Sequence, residues 1–363
     1  MKILKRTNLE AWKRVNELGA DETIKLLKEK GLTGRGGACF LTGLKWEFAK
    51  KEKGEKFVIC NADEGEPGTF KDKLILENNA SNVIEGILIA AYCIGAKQAY
   101  IYLRGEYYSL KDKLLGVIKK VSSGSNIKID IIEGAGAYIC GDETAIISSI
   151  ENKRGYPHFK PPYPVQKGLF GKATVINNVE TLANVPLAIV NSDWSDNLRL
   201  FSLSGDVTKA GVYEIEIGTK LGEIAKIAGA KDVKAVYFGA AGGCIPYKHD
   251  FIVSSDKVCK EEAMLGACSL IFVNKKRNML DMAINISRFF RHESCGKCTP
   301  CREGNVHVLY LLEKIKSGKS NENDLNLLEK LCVTIRDTAL CGLGQSCTNH
   351  ILTALKSFKG DFQ

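Results

Sequence analysis

Lys56-Phe57-Val58-Ile59-Cys60-Asn61-Ala62-Asp63-Glu64-Gly65-Glu66-Pro67-Gly68-Thr69-Phe70 decides the fold of this 363-residue chain. Residues 56–60 read as a strand, and the polar run after them reads as the loop leaving its carboxyl end. Outward from it, a helix is expected near 77–95 and a strand at 97–103. A helix follows near 107–121, then a strand at 127–132, and Glu133 to Glu143 is a second glycine- and acid-bearing loop that opens another helix. This βαβαβ alternation predicts a parallel sheet with right-handed crossovers. Ligands bind outside the carboxyl ends of such strands, so both loops belong to one rim. Buried acids there need partners.

Upstream, residues 8–30 read as an amphipathic helix that can break at Gly19-Ala20-Asp21. The stretch from Gly31 to Trp46 holds five glycines within residues 31–43, together with Arg35 and Lys45. Glycine lets backbone N–H groups crowd a ligand, and such nests bind phosphate. Phe40, Leu44, Trp46 and Phe48 argue for an ordered loop with planar surfaces rather than a slack one. Three glycine loops on one rim form a cup and favour a nucleotide. Gly134-Ala135-Gly136 followed by Gly141 is not the dinucleotide fingerprint, because the third glycine is misplaced and no strand-end acid follows. An ordinary Rossmann dehydrogenase is therefore not expected.

Residues 151–171 carry four of the eight prolines, a stiff segment able to wall a cleft. Residues 173–176 read as a strand ending in Asn177-Asn178-Val179-Glu180-Thr181. Those asparagines can read the edge of a heterocycle or cap the next helix. A boundary is expected near 192–198. Beyond it, strands at 199–204, 212–217 and 235–238 with a helix at 221–228 suggest a small β-grasp (ubiquitin-like) module with no visible chemistry. From Asn278 the pattern is helical, with further helices at 302–316, 323–338 and 346–357: a four-helix bundle. The expected domains are 1–195, 196–275 and 276–363.

Within the helical part stands Ser294-Cys295-Gly296-Lys297-Cys298-Thr299-Pro300-Cys301-Arg302-Glu303-Gly304. Pro300 forbids an ordinary helix through it. Three thiolates on a folded-back loop can hold one face of a metal centre, with a fourth from a distant cysteine as in cubane iron–sulfur sites. Cys332 sits in an apolar helical pattern, whereas Cys341 precedes Gly342-Leu343-Gly344, where backbone can approach a cluster. Cys341 is the expected fourth ligand. Structural zinc is the alternative, but no second Cys or His pair follows at zinc spacing.

Composition bounds the rest. Thirteen cysteines, an odd count, and a charged N-terminal helix make a secreted disulfide framework unexpected and point to a reducing cytosol. The longest apolar run, 86–96, is too short to span a bilayer, so any membrane role requires docking to other subunits. The net charge is +9, but Lys and Glu interleave along helices as on solvated faces, and no nucleic-acid motif appears.

Taken together, Gly34-Arg35-Gly36-Gly37-Ala38, Cys60 to Glu64, Glu66 to Asp72, Gly134 to Glu143, Asn177 to Pro186 and Ser294 to Gly304 resemble the NADH-binding, flavin- and iron–sulfur-bearing (51 kDa-type) subunits of respiratory complex I. The diaphorase subunits of soluble NAD-linked hydrogenases, formate dehydrogenases and electron-bifurcating enzymes share this family. The resemblance spans nearly the whole chain. It implies FMN in the cup, a 4Fe–4S cluster and NAD(H) as substrate, with hydride exchanged between NAD(H) and FMN and single electrons passed to the cluster. No side chain is expected to act as acid or base. The middle module would then be of the SLBB type.

Carried over by position, the resemblance implies that Gly34, Arg35, Gly36, Lys45, Asn61, Asp63, Glu64, Gly65, Tyr138, Gly141, Asp142, Glu143, Asn177, Asn178 and Thr181 line FMN. Phe40, Phe48 and Tyr163 would stack on the dinucleotide, with Glu66, Glu143 and Lys160 as polar contacts. Cys295, Cys298, Cys301 and Cys341 would hold the cluster. Cys39 and Leu41 stand where the family usually has Gly and Pro, Asp142 replaces a usual Glu, and Tyr163 a common Phe. A thioredoxin-like 2Fe–2S subunit, a further iron–sulfur or catalytic subunit, and ferredoxin are the implied partners. The parent assembly is expected to be a soluble hydrogenase, formate dehydrogenase or bifurcating complex. A membrane-bound NADH:quinone oxidoreductase is the alternative, and a relay or scaffold that has lost NADH oxidation is a second one. A nucleic-acid-binding metal protein is a rival of another class.

Overall fold

The computed structural model describes residues 1–363, apart from the side chain of Glu322. The chain forms two compact units. One holds residues 1–65 and 70–198, the other 66–69 and 199–363.

The first unit opens with α1 (Glu10–Leu18) and α2 (Ala20–Glu29), broken at Gly19, whose φ of +80° suits glycine. Then come α3 (Thr42–Lys51), β1 (Lys56–Ala62), α4 (Lys71–Ile94), β2 (Gln98–Leu103), α5 (Lys111–Val121) and β3 (Lys128–Glu133). α6 (Glu143–Ile150), β4 (Ala173–Asn178) and α7 (Val179–Val190) complete it. The sheet order is β3-β2-β1-β4, and every pairing is parallel. Ile59 of β1 stands between Tyr100 and Ile176. The expected alternation is therefore present, with β4 added beside β1.

Two departures have physical reasons. The helix expected from about 77 begins at Lys71, because the Glu64 carboxylate accepts from the N–H groups of Asp72 (2.9 Å) and Lys73 (3.1 Å) at its first turn. Its backbone kinks at Asn79 (φ −145°), whose amide donates to the Ile3 carbonyl at 3.0 Å. The apolar periodicity restarts after that kink, which hid the first turns. α7 carries Pro186 inside it, and proline offers no N–H to the Leu182 carbonyl one turn earlier. That carbonyl faces α4 at Gly86, where an added Cβ would stand 2.1 Å from the oxygen. The two helices meet backbone to backbone there.

The second unit begins with β5 (Leu198–Gly205), β6 (Gly211–Glu216), α8 (Leu221–Ala228), β7 (Val233–Phe238), β8 (Cys244–Pro246), α9 (Ser255–Lys260) and β9 (Ser269–Asn274). The mixed sheet has order β6-β5-β9-β7-β8, with β9 parallel to β5 and antiparallel to β7. Phe201, Leu203, Ile224, Val236, Phe238 and Phe272 form its core. The helical part holds α10 (Met279–Glu293), α11 (Thr299–Lys316), α12 (Glu322–Thr338), α13 (Gly342–Ser346) and α14 (Asn349–Ser357). The helix expected at 346–357 is thus split around Cys347 and Thr348. Pro300 does not exclude helix from the cysteine stretch. It sits in the first turn of α11, where a missing N–H costs nothing, so Cys301 is already helical. No helix among the described residues is long and apolar enough to cross a membrane.

Candidate functional site

The site in the first unit is made by four loops locked to one another at the carboxyl ends of the strands. The 34–45 loop is tied to the β4–α7 junction: Arg35 N–H donates to Thr181 Oγ1 (2.8 Å), and Gly36 packs so that an added Cβ would lie 3.4 Å from Asn178 Cβ. Trp46 Nε1 donates to Asn177 Oδ1 at 2.9 Å. The Lys45 ammonium donates to the Ile176 carbonyl (3.0 Å) and to Glu143, and Lys160 Nζ stands 3.7 Å from the other Glu143 oxygen. The loop after β1 meets the loop after β3: Asn61 Nδ2 donates to the Gly141 carbonyl at 3.0 Å. Gly65 is required there, since a Cβ would lie 2.8 Å from the Tyr138 ring and 3.0 Å from Arg104. These contacts bring Gly36, Lys45, Asn61, Gly65, Tyr138, Gly141, Glu143, Asn177 and Thr181 together, with the Asp63 carbonyl beside Gly141, while Gly34 N–H donates to the Phe40 carbonyl within its own loop.

Several of the fifteen positions turn their side chains elsewhere. Arg35 is only 2 % exposed and pairs with Asp196 at 3.0 Å, so its charge serves the loop's anchorage and its N–H faces Thr181. Asp142 caps α6, accepting from Thr144 N–H (2.8 Å) and Ala145 N–H (3.2 Å). Asn178 caps α7 through Glu180 N–H (2.9 Å) and donates to Asp72 at 2.5 Å. Glu64 accepts from Tyr107 as well as from the start of α4, and is 8 % exposed. Burial first, and the neighbouring Asp72 second, push its carboxyl up to about 7.

Beneath these loops lies a cluster that the sequence did not disclose. Lys71 Nζ sits 2.7 Å from Asp72 and 2.9 Å from Glu180, all three almost fully buried. Burial alone would lower the Lys71 ammonium, but Asp72, Glu180 and Glu64 carry it above its usual value. An adjacent Lys-Asp at a helix start reads as a solvated pair, so its burial left no signal. The contact of Tyr107 and Arg104 with the Glu64 segment was equally hidden, because both lie after β2.

Phe40, Phe48 and Tyr163 leave their rings 45, 43 and 52 % exposed, as surfaces open to stacking. Glu66 belongs to the second unit, where its carboxylate accepts from Ala240 N–H (2.7 Å) and Ala241 N–H (2.8 Å). The 239–243 turn of the small mixed-sheet region therefore anchors an expected site residue.

In the helical part, Cys298 and Cys341 are the residues before α11 and α13, and Cys301 lies in the first turn of α11. Gly344 of α13 packs on Cys301: an added Cβ would come within 3.3 Å of the cysteine's Cβ and 3.7 Å of its sulfur. Hydrogen bonds from Cys347, Ser294 and Asn305 hold the Cys301 thiol below its usual range. Cys332 is buried on α12, as its apolar setting predicts. Among the described residues no three His, Cys, Asp or Glu side chains gather around a single ion. A cubane is bound through four separate iron corners, so its thiolates stand farther apart than one ion's ligands. A thiol-bearing loop at two helix starts, with a glycine letting one approach the other, fits that group.

A strand-tip cup rich in glycine and a thiol loop of this kind define a flavin- and iron–sulfur-binding oxidoreductase component. Residues 27–187 match the family described as the Nuo51 FMN-binding domain, and residues 281–363 match the NADH-ubiquinone oxidoreductase-F iron-sulfur binding region. The chain is 41 % identical to the F subunit of NADH-quinone oxidoreductase of Aquifex aeolicus, over 99 % of its own length and 89 % of that protein's. It is also 41 % identical to the alpha subunit of the NAD-reducing hydrogenase HoxS of Cupriavidus necator, over 95 % of this chain and 61 % of that one. The crystal structure of an NAD+-reducing NiFe-hydrogenase in the air-oxidized state superposes with a TM-score of 0.89 at 36 % identity. That match covers 95 % of this chain and 62 % of the hydrogenase chain, so the chain spans under two thirds of these hydrogenase relatives. The chain belongs to the family of NADH-quinone oxidoreductase F subunits, whose members include the NAD-reducing hydrogenase subunits. It is an NADH dehydrogenase-type oxidoreductase subunit that takes FMN and an iron–sulfur cluster, with NADH as substrate.

Proposed function

We propose that the chain is the NAD(H)-facing flavoprotein of a larger cytoplasmic redox complex: a soluble hydrogenase, formate dehydrogenase or bifurcating enzyme. Bound FMN supplies the conversion between hydride and single electrons; the chain supplies orientation, charge and exclusion of water. Backbone N–H groups around Gly34, Gly36 and Gly141, with Lys45, Asn61, Asp63, Asn177 and Thr181, hold the flavin. Phe40, Phe48 and Tyr163 stack the dinucleotide, and Lys160 is a polar contact to it. Cys295, Cys298, Cys301 and Cys341 hold the 4Fe–4S cluster. Glu143, positioned by Lys45 and Lys160, accepts from the adenosine ribose hydroxyl and repels the extra phosphate of NADP. The small mixed-sheet region acts as a β-grasp module for partner contact, and a thioredoxin-like 2Fe–2S subunit, with ferredoxin or a further iron–sulfur subunit, takes the electrons onward.

The observation that carries this reading is the locking of three glycine-bearing loops and the β4–α7 junction into one rim by Arg35–Thr181, Lys45–Glu143 and Asn61–Gly141. A second reading, the NADH-oxidising subunit of a membrane-bound NADH:quinone oxidoreductase, is supported by the identity to the Aquifex protein over nearly the whole chain. Anaerobic purification of the tagged chain with its neighbours tests both. Flavin colour bleached by NADH, and hydrogenase or formate dehydrogenase subunits in the eluate, are expected. Membrane quinone-reductase subunits would favour the second reading. A colourless chain that NADH leaves unchanged would overturn both.

A further inference from the structure

The buried end of the thiol loop carries polar groups that ligation by four cysteines does not require. Cys301 is 5 % exposed, whereas Cys295, Cys298 and Cys341 are only partly buried. Two polar side chains converge on the Cys301 sulfur. Asn305 lies one turn further along α11 at 1 % exposure, and its Nδ2 donates to the Cys301 carbonyl (2.8 Å) and to Cys301 Sγ (3.3 Å). A primary amide has two hydrogens, so both acceptors are served at once. Ser294, at the end of α10, places its Oγ 3.3 Å from the same sulfur. That oxygen accepts from Gly296 N–H at 3.4 Å, which leaves its own proton for the sulfur. Cys347 also reaches Cys301, but its single proton is shared with the Gly344 carbonyl at 3.3 Å. The amide and the hydroxyl are the donors with a proton to spare.

A side-chain amide buried this deeply needs partners. The second partner of Asn305 is a sulfur, a weak acceptor as a thiol and a better one when ionised. Such a pair of donors suits a thiolate that holds iron. Reduction of a bound iron–sulfur cluster adds one electron, and hydrogen bonds to the ligand sulfurs favour the more negative state. Water can serve the partly exposed corners. At the buried one the protein supplies the donors, and low local polarity strengthens them.

We propose that Asn305 and Ser294 are positioning residues that raise the reduction potential of the iron–sulfur cluster through their hydrogen bonds to the Cys301 sulfur. This rests on Cys301 being a ligand of that cluster. The two residues thereby ease the passage of single electrons from the flavin.

An anaerobic redox titration of the full, cluster-reconstituted chain, followed by electron paramagnetic resonance of the reduced cluster, tests this. Asn305→Leu keeps the volume and removes both amide donors. Its midpoint potential should fall by about 59 mV, a tenfold shift in a one-electron equilibrium, with the iron content unchanged. Ser294 is partly exposed and water can replace its hydroxyl, so Ser294→Ala should fall by less. Ser294→Thr, which keeps the hydroxyl, should hold the parent value. An unchanged or higher midpoint in both Asn305→Leu and Ser294→Ala, with iron retained, overturns the inference alone. Where neither variant holds iron, the unaltered chain decides. Asparagine labelled with heavy nitrogen at the side-chain amide should then give a nitrogen coupling in pulsed spectra of the reduced cluster, and its absence overturns the inference. A Cys301→Ser chain that keeps all its iron and the parent spectrum overturns the ligand assignment and the inference with it.

Discussion

Glu143 and Glu64 are both carboxylates of the same rim, yet their surroundings give them different work. Glu143 is partly exposed and paired with Lys45 and Lys160. Glu143→Gln should raise the ratio of NADPH to NADH kcat/KM by roughly fivefold, since one like charge facing a phosphate is worth about 1 kcal/mol; an unchanged ratio removes the role. Glu64 is buried and raised to about 7 from an ordinary 4.5. The folded chain keeps its proton longer than the unfolded one. Its stabilising contribution is therefore full below pH 4.5 and is lost as pH rises through about 7. Urea unfolding of the flavin-free chain should show a decline of the order of 2 kcal/mol from this source between pH 5 and 8. Glu64→Gln should lack that decline, and an identical pH profile would refute it.

At the scale of elements, α4 and α7 depend on the pairing of Gly86 with the carbonyl that Pro186 leaves unbonded. Alanine is the better helix former by about 1 kcal/mol, but here its methyl overlaps the Leu182 backbone. Gly86→Ala should cost about 3 kcal/mol or more, read as a fall in melting temperature. A neutral or stabilising effect would mean that the helices separate freely. The starts of α11 and α13 make a parallel case. Cys341→Ser should lose most of the iron, measured chemically and by the visible spectrum, because the cluster loses one corner. Cys332→Ala should keep its iron and lose only stability, since that thiol fills apolar space on α12. Iron retained in the first variant would reassign the fourth ligand.

For the whole molecule, a net charge of +9 invites a nucleic-acid reading. Many of its lysines stand in local neutral pairs such as Lys28–Glu47, Lys111–Glu133 and Lys220–Asp250. A phosphate backbone is held by cations gathered on one face, and a paired lysine adds little to one. Retention on duplex DNA should be absent at about 150 mM salt. Tight retention with a steep salt slope would restore that rival.

What the sequence determined was the order of elements and the chemistry of the loops. Strand periodicity around Phe57–Cys60, the glycine spacing at 34–37 and 134–141 and the three-residue cysteine interval are local features, and local sterics make them legible. The single break at Gly19 was visible for the same reason. Only the tertiary structure decided which side chains face the rim and which are consumed beneath it. Arg35 turned to Asp196, Asp142 and Asn178 became caps, and Glu66 was taken by the 239–243 turn. Those partners lie up to 175 residues away, and no periodicity carries information over that distance. The burial of Lys71, Asp72 and Glu180 belongs to the same class: a charged residue is read as exposed until a second helix start covers it.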